Sequence, residues 1–255
     1  MAYFERDGVR LYYEVHGQGP ALLLTHGFSA TSQMWRGQVE SLARTHSLIL
    51  WDMRGHGRSA SPTENALYSA AHTVADMAAL LDHLGHARAV IGGLSLGGYM
   101  SLAFHVQHAA RVAALLIIDT GPGYRQAESR AQWNDTARAM ADAIEAKGAA
   151  ALRTGSAERA ASYHEDYAGL ARAGRCMLTQ QDAHVMESLP HIEVPALVLA
   201  GAQDTPFLAA TDYMAAKIPG ARKIIVPDAG HAVNLDQPQR FNAAVTDFLA
   251  TLNAG

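Results

Sequence analysis

The chain has 255 residues, 49% of them hydrophobic, with 20 Lys+Arg against 24 Asp+Glu and a formal net charge of −4. That length and apolar content allow one large α/β domain with a substantial core, and exclude intrinsic disorder as the main state. The mildly acidic balance argues against a nucleic-acid or anionic-membrane partner, and the single cysteine, Cys176, excludes an internal disulfide and any CxxC metal or redox motif.

The N-terminal stretch MAYFERDGVRLYYEVHG is charged and lacks the apolar region of a signal peptide. No segment approaches the ~20 apolar residues of a membrane span, so a soluble, cytoplasmic protein is expected. VRLYYEVHG partly alternates and predicts an edge strand with one wet face. ALLLTHG, SLILWDMRG, AVIGGLS, VAALLIIDTG, PALVLAG and KIIVPDAG follow as continuous apolar runs, each closed by turn residues. Such runs predict strands covered on both faces, as in a parallel sheet.

Helical patterns fill the gaps. Residues 73–84 carry Thr73 as a candidate N-cap, Asp76 at capping-box spacing and Gly85 as the stop, with Met77, Ala78, Leu81 and Leu84 on one stripe. The last helix is expected near 237–252, with Pro238 in its first turn and Phe241, Val245, Phe248, Leu249 and Leu252 on one face. Alternating strand and helix predict a doubly wound sheet. Residues 122–194 break the alternation, being rich in alanine and arginine and poor in apolar runs. They read as a helical cap inserted into a core made of residues 1–121 and 195–255. Ligands of open α/β sheets bind at the C-terminal strand edge, so this cap would roof the site.

The stretch IGGLSLGGYM, residues 91–100, places four glycines around Ser95 where a strand meets a helix. A tight strand-to-helix turn would force Ser95 toward positive φ and press positions 93 and 97 together, where only glycine fits cheaply. The turn would lift the hydroxyl above the sheet edge and aim the Leu96 amide from a helix N-terminus, where negative charge is favoured. A phosphate loop would need Gly-Lys-Ser/Thr where this chain has Gly97-Gly98-Tyr99. The remaining structural alternative is a packing turn with an incidental serine.

A serine nucleophile needs a base, and the base an orienting acid. His231 stands in a loop after KIIVP, and Asp204 in a loop after PALVLAG. Ser, Asp, His is the chain order of α/β-hydrolases, and Gly93-Leu94-Ser95-Leu96-Gly97 is the G-x-S-x-G elbow. The sequence thus resembles the α/β-hydrolase-fold superfamily over nearly its whole length, in particular small bacterial esterases and enol-lactonases. Thr25-His26-Gly27-Phe28 resembles the family's oxyanion loop, and Asp52-Met53-Arg54-Gly55-His56-Gly57-Arg58-Ser59 a family turn. The resemblance implies a mostly parallel eight-stranded doubly wound sheet with a helical cap after strand 6. It also implies catalytic Ser95, Asp204 and His231, an oxyanion hole of the Phe28 and Leu96 amides, and no cofactor or metal.

Asp119, ending VAALLIID, competes with Asp204, since some family members take their acid there; Asp204, followed by Pro206, matches the commoner placement. Asp228 reads as a turn residue. Of thirteen histidines, His26 and His56 read as loop-shaping, and the pairs His83/His86 and His105/His108 lack a third ligand. Arg54 reads as bonding neighbouring carbonyls and carboxylates. Tyr124, Trp133, Tyr163 and Tyr167 are cap aromatics that could meet substrate, with Trp133 and Tyr124 preferred. Arg125, Arg130, Arg138, Arg153, Arg159, Arg172 and Arg175 read as a mostly solvated face, of which one could hold a substrate carboxylate. The expected activity is hydrolysis of a small-molecule carboxylic ester or lactone through an acyl-enzyme. Enol-lactonase, carbon–carbon bond hydrolase and a perhydrolase side activity remain open, as does a non-catalytic small-ligand binder of the same fold.

Overall fold

The computed structural model describes residues 2–153, 157–160 and 162–252. Its sheet comprises β1 (Ala2–Arg6), β2 (Val9–His16), β3 (Ala21–Thr25), β4 (Ser47–Trp51), β5 (Ala89–Leu94), β6 (Val112–Ile118), β7 (Ala196–Gly201) and β8 (Arg222–Val226). The spatial order is β1-β2-β4-β3-β5-β6-β7-β8. The β1–β2 and β2–β4 pairs are antiparallel and the five others parallel. This is the expected mostly parallel, eight-stranded sheet.

The helices are α1 (Arg36–Leu42), α2 (Ala70–His83), α3 (Leu96–His108), α4 (Ala127–Lys147), α5 (Ala157–Ala160), α6 (Tyr167–Cys176), α7 (His184–Ser188), α8 (Thr205–Lys217), α9 (Val233–Asp236) and α10 (Pro238–Leu252). Period-two side-chain alternation splits the core between the two sheet faces. Leu23, Ile91, Ile117 and Val198 pack with residues of α2, α3, α8 and the helices between β6 and β7. Leu22, Leu24, Ile118 and Leu199 pack on the other face with Trp35, Leu42, Phe241 and Phe248. Among the described residues no helix is long and apolar enough to cross a membrane.

Three local expectations need correction. The edge strand is β1 rather than β2: Asp7 (φ 52°) and Gly8 (φ 73°) form a two-residue turn between Arg6 and Val9, so the chain begins with a hairpin. β8 is not covered on both faces; as the opposite edge it leaves Arg222, Lys223 and Ile225 exposed, and its two cations guard the open ladder. The N-cap of α2 is Ser69, whose hydroxyl accepts the His72 amide at 3.0 Å. Thr73 lies inside the first turn, and Asp76 is drawn instead into a buried pair with Arg54. The predicted stop holds, since Gly85 has φ 74° and the His86 amide closes on Leu81 O.

Candidate active site

Ser95 joins β5 to α3 with φ 57° and ψ −119°, a conformation that a residue with a Cβ adopts only when its surroundings impose it. The imposition is visible. The Ser95 amide donates to Ile118 O at 2.9 Å, and the Thr120 hydroxyl donates to Ser95 O at 2.7 Å. A Cβ on Gly93 would stand 2.6 Å from Thr25 O and one on Gly97 2.7 Å from His26 O, so the turn can seat against β3 only with glycine at both places. A Cβ on Gly27 would meet the Cβ of Ser95 at 3.4 Å, so the Gly27-Phe28 loop runs close beside Ser95. Leu96 opens α3, and first-turn amides have no acceptor within their own helix.

His231 reaches this edge because its loop runs back across the sheet. Beyond β8, Gly230 and Ala229 press on Gly201 at the end of β7, while Asn234 in α9 donates to Met34 O at 2.8 Å, beyond the end of β3. His231 Nδ1 lies 2.8 Å from Asp204 Oδ2, and its ring stacks on Phe207 at 5.1 Å. Asp204 occupies the N-cap position of α8 without capping it, its carboxylate being given to the imidazole. The Asp204 side chain is 5% exposed, so this contact is shielded from water. Asp119 makes a different bond, accepting the Gly201 amide at 2.8 Å. Asp228, at φ 59°, is an exposed turn residue facing Arg240.

A cavity of about 240 Å3 opens at Ser95. Trp133 and Tyr124 line it, as expected; Tyr163 is 67% exposed, and Tyr167 packs edge-on to His164 instead. Tyr99, Thr120, Leu178 and Phe207 also line it and were not singled out from sequence, although Tyr99 stands one helical turn after Ser95 and Phe207 three residues after Asp204. No charged side chain lines the cavity among the described residues. Arg54 is buried in a two-point pair with Asp76, at 2.6 and 2.8 Å. Arg175 binds Asp142 and Glu145, Arg138 binds Asp135, and Arg159 donates to Ser29 Oγ at 2.8 Å.

Behind the Phe28 loop lies a column of three imidazoles. The His26 and His56 ring centres are 4.9 Å apart and those of His56 and His164 5.9 Å apart. His26 bridges Gly27 O and the Met53 amide, and His164 bridges the Gly57 amide and Ser29 O, tying the segment before α6 to the loop. Burial holds all three neutral, pushing His26 and His164 down to about 4 and His56 well below its ordinary value. In the unfolded chain they titrate near ~6.5, so that state takes up protons which the fold refuses. Stability is therefore complete above the unfolded value and declines as pH falls toward about 4. The melting temperature should drop across that interval in circular dichroism, less steeply in His164→Gln, which has one such group fewer. Equal slopes would refute this. Among the described residues no group of three His, Cys, Asp or Glu side chains is placed to hold a metal.

The fold has known counterparts. The chain is 28% identical over 97% of its length, and 96% of the relative's, to 3-oxoadipate enol-lactonase 1 of Acinetobacter baylyi. The enol-lactonase structure from Burkholderia xenovorans superimposes with a TM-score of 0.80 at 28% identity, covering 98% of this chain and 100% of that one. A thermophilic esterase from Thermogutta terrifontis, solved with malate bound, gives 0.84 at 27% identity, covering 98% and 97%. The profile described as "Alpha/beta hydrolase family" matches residues 22–244, and the chain belongs to that family.

Proposed function

We propose that the chain is a serine hydrolase of small, uncharged carboxylic esters, with Ser95 as nucleophile, His231 as base and Asp204 as the orienting acid. The observation that carries the substrate class is the cavity at Ser95, lined by mostly apolar surface with neutral polar groups such as Thr120 and Gln180 and without a charged side chain among the described residues. Ser95 Oγ attacks the ester carbonyl while His231 Nε2 takes its proton. Asp204 on Nδ1 fixes the tautomer that leaves Nε2 free to accept. The amides of Phe28 and Leu96 receive the negative charge that develops on the carbonyl oxygen, a role in which one donor is worth on the order of 10²–10³ in rate. The imidazolium then protonates the departing alcohol. Water, deprotonated by the same histidine, releases the acid. His231 is hydrogen-bonded to Asp204 through Nδ1, and the bond from Ser95 Oγ to Nε2 is of the kind that commonly tightens only when substrate draws the groups together.

The anionic alternatives fit the cavity less well. A 3-oxoadipate-derived lactone keeps a carboxylate, and buried carboxylates are held by cations or multiple donors. None of the arginines described in residues 122–194 lines the cavity: they are paired with acids, bonded to backbone or turned to solvent, except half-buried Arg159, which donates to the Ser29 hydroxyl. A panel of p-nitrophenyl acetate and butyrate, a carboxylate-bearing enol-lactone and a vinylogous diketone separates these chemistries. The neutral esters should be turned over with kcat/KM at least ~10-fold above the others, since an unpaired charge is the costliest thing to bury. Preference for the anionic lactone would overturn the substrate class. Reaction with a fluorophosphonate separates all of them from a non-catalytic binder, because only an activated serine is labelled.

A further inference from the structure

Asp119 lies at the end of β6, 1% exposed, with φ 42°. A non-glycine residue in that backbone region is held there by its surroundings. Its amide donates to Leu199 O at 2.9 Å and its Oδ1 accepts the Gly201 amide at 2.8 Å, which locks it between β6 and β7. Oδ2 is buried and accepts no hydrogen bond among the described residues. The carboxyl of Asp204 lies against it, and the Asp204 amide closes on Gly201 O at 3.1 Å. Neither carboxyl is ion-paired with an arginine or lysine among the described residues; besides Asp119, Asp204 meets the His231 ring. Two carboxylates in contact, buried and without a cation, do not both ionise, because each charge opposes the other in a medium that screens poorly. One proton must be shared, and the two environments decide where it resides. Asp204 accepts from an imidazole that becomes cationic during turnover, which favours its ionised form. The backbone amides of Gly201 and Val233 act on Asp119 and favour its anion, but its burial is the larger effect and favours the acid.

We propose that Asp119 is a positioning residue for the triad acid, kept as the neutral carboxylic acid and donating its Oδ2 hydrogen to the Asp204 carboxylate. The apparently unmatched oxygen is then a donor with an acceptor in front of it. Burial, reinforced by the charge on Asp204, raises Asp119 to about 9, so the acid form persists at neutral pH. The bond holds the Asp204 carboxylate in the plane that meets Nδ1 of His231, much as a hydrogen-bonded carboxylate orients a metal-bound histidine. Asp119 is thereby assigned a role beside Asp204 rather than in competition with it. This inference rests on the proposed assignment of Ser95, His231 and Asp204.

The test compares Asp119→Asn with Asp119→Leu. Asparagine keeps the neutral charge, the acceptor for Gly201 and a donor for Asp204, so kcat on p-nitrophenyl acetate should stay within about threefold of wild type. Leucine keeps the volume and removes both bonds, so kcat should fall about 10- to 100-fold with KM nearly unchanged. Infrared difference spectra at neutral pH, wild type minus Asp119→Asn, should show the carbonyl stretch of a protonated carboxylic acid. The idea is overturned if asparagine is as damaging as leucine, if leucine is as active as asparagine, or if that band is missing. Should the leucine variant not fold, the asparagine variant and the spectrum decide. Wild-type protein that no fluorophosphonate labels would sink the hydrolase reading, while the spectrum would still report on Asp119 alone.

Discussion

Ser95→Ala should abolish hydrolysis of p-nitrophenyl acetate, lowering kcat by ~10⁴- to ~10⁶-fold, the range seen when the nucleophile of a cooperating triad is removed. The fold should survive. Alanine retains the Cβ, so the φ of 57° is no more strained than before, and the backbone bonds to Ile118 and Thr120 do not involve the hydroxyl. Only the attacking atom is lost, and with it covalent capture by a fluorophosphonate. The melting temperature should be unchanged, which separates a missing nucleophile from a collapsed elbow. Wild-type turnover in this variant would mean that the cavity serves some other chemistry.

Asp204→Asn should lower kcat by ~10⁴-fold, again with the fold intact. The carboxylate accepts from Nδ1 and so demands the tautomer with its hydrogen there. An amide at the same position can present its NH2 to Nδ1, which moves the ring hydrogen to Nε2. The nitrogen meant to receive the serine proton is then already occupied. KM should change little, because Asp204 does not line the cavity. A fall of less than tenfold, measured under saturating substrate, would remove Asp204 from the triad. Asp119→Asn is the internal contrast, since the same chemical change one strand away should cost almost nothing.

The elements that a short sequence window specifies were legible. The run of apolar strands, the turn residues after them and the crowded glycines at 91–98 are each local, and the observed sheet and the φ of Ser95 follow from them. The hairpin at Asp7-Gly8 is equally local, but the charges of MAYFER mask a strand paired on one side only. Thr73 with Asp76 matched a capping box, but the cap is Ser69 one turn earlier, because Asp76 is engaged elsewhere. Asp76 turns inward to a buried Arg54, a partner 22 residues away that no helix pattern announces. The destinations of the arginines in residues 122–194 were illegible for the same reason. Whether a cation faces solvent, an acid or a ligand depends on how α4 and α6 are set against each other, and alanine-rich helices leave that angle unspecified in sequence. The Asp204–His231 contact was legible as residue type and chain order, whereas the Asp119 contact was legible only as rivalry.

One close approach has a consequence for how turnover responds to bulk. A side chain on Gly174 of α6 would strike the Phe28 ring, and His164 grips the carbonyl of Ser29. The segment between β6 and β7 and the strip of backbone proposed to receive the oxyanion are thus packed directly on each other. An acyl group large enough to push that segment outward would loosen the amide proposed to receive its oxygen, so oversize esters would be penalised in their speed of conversion more than in their grip.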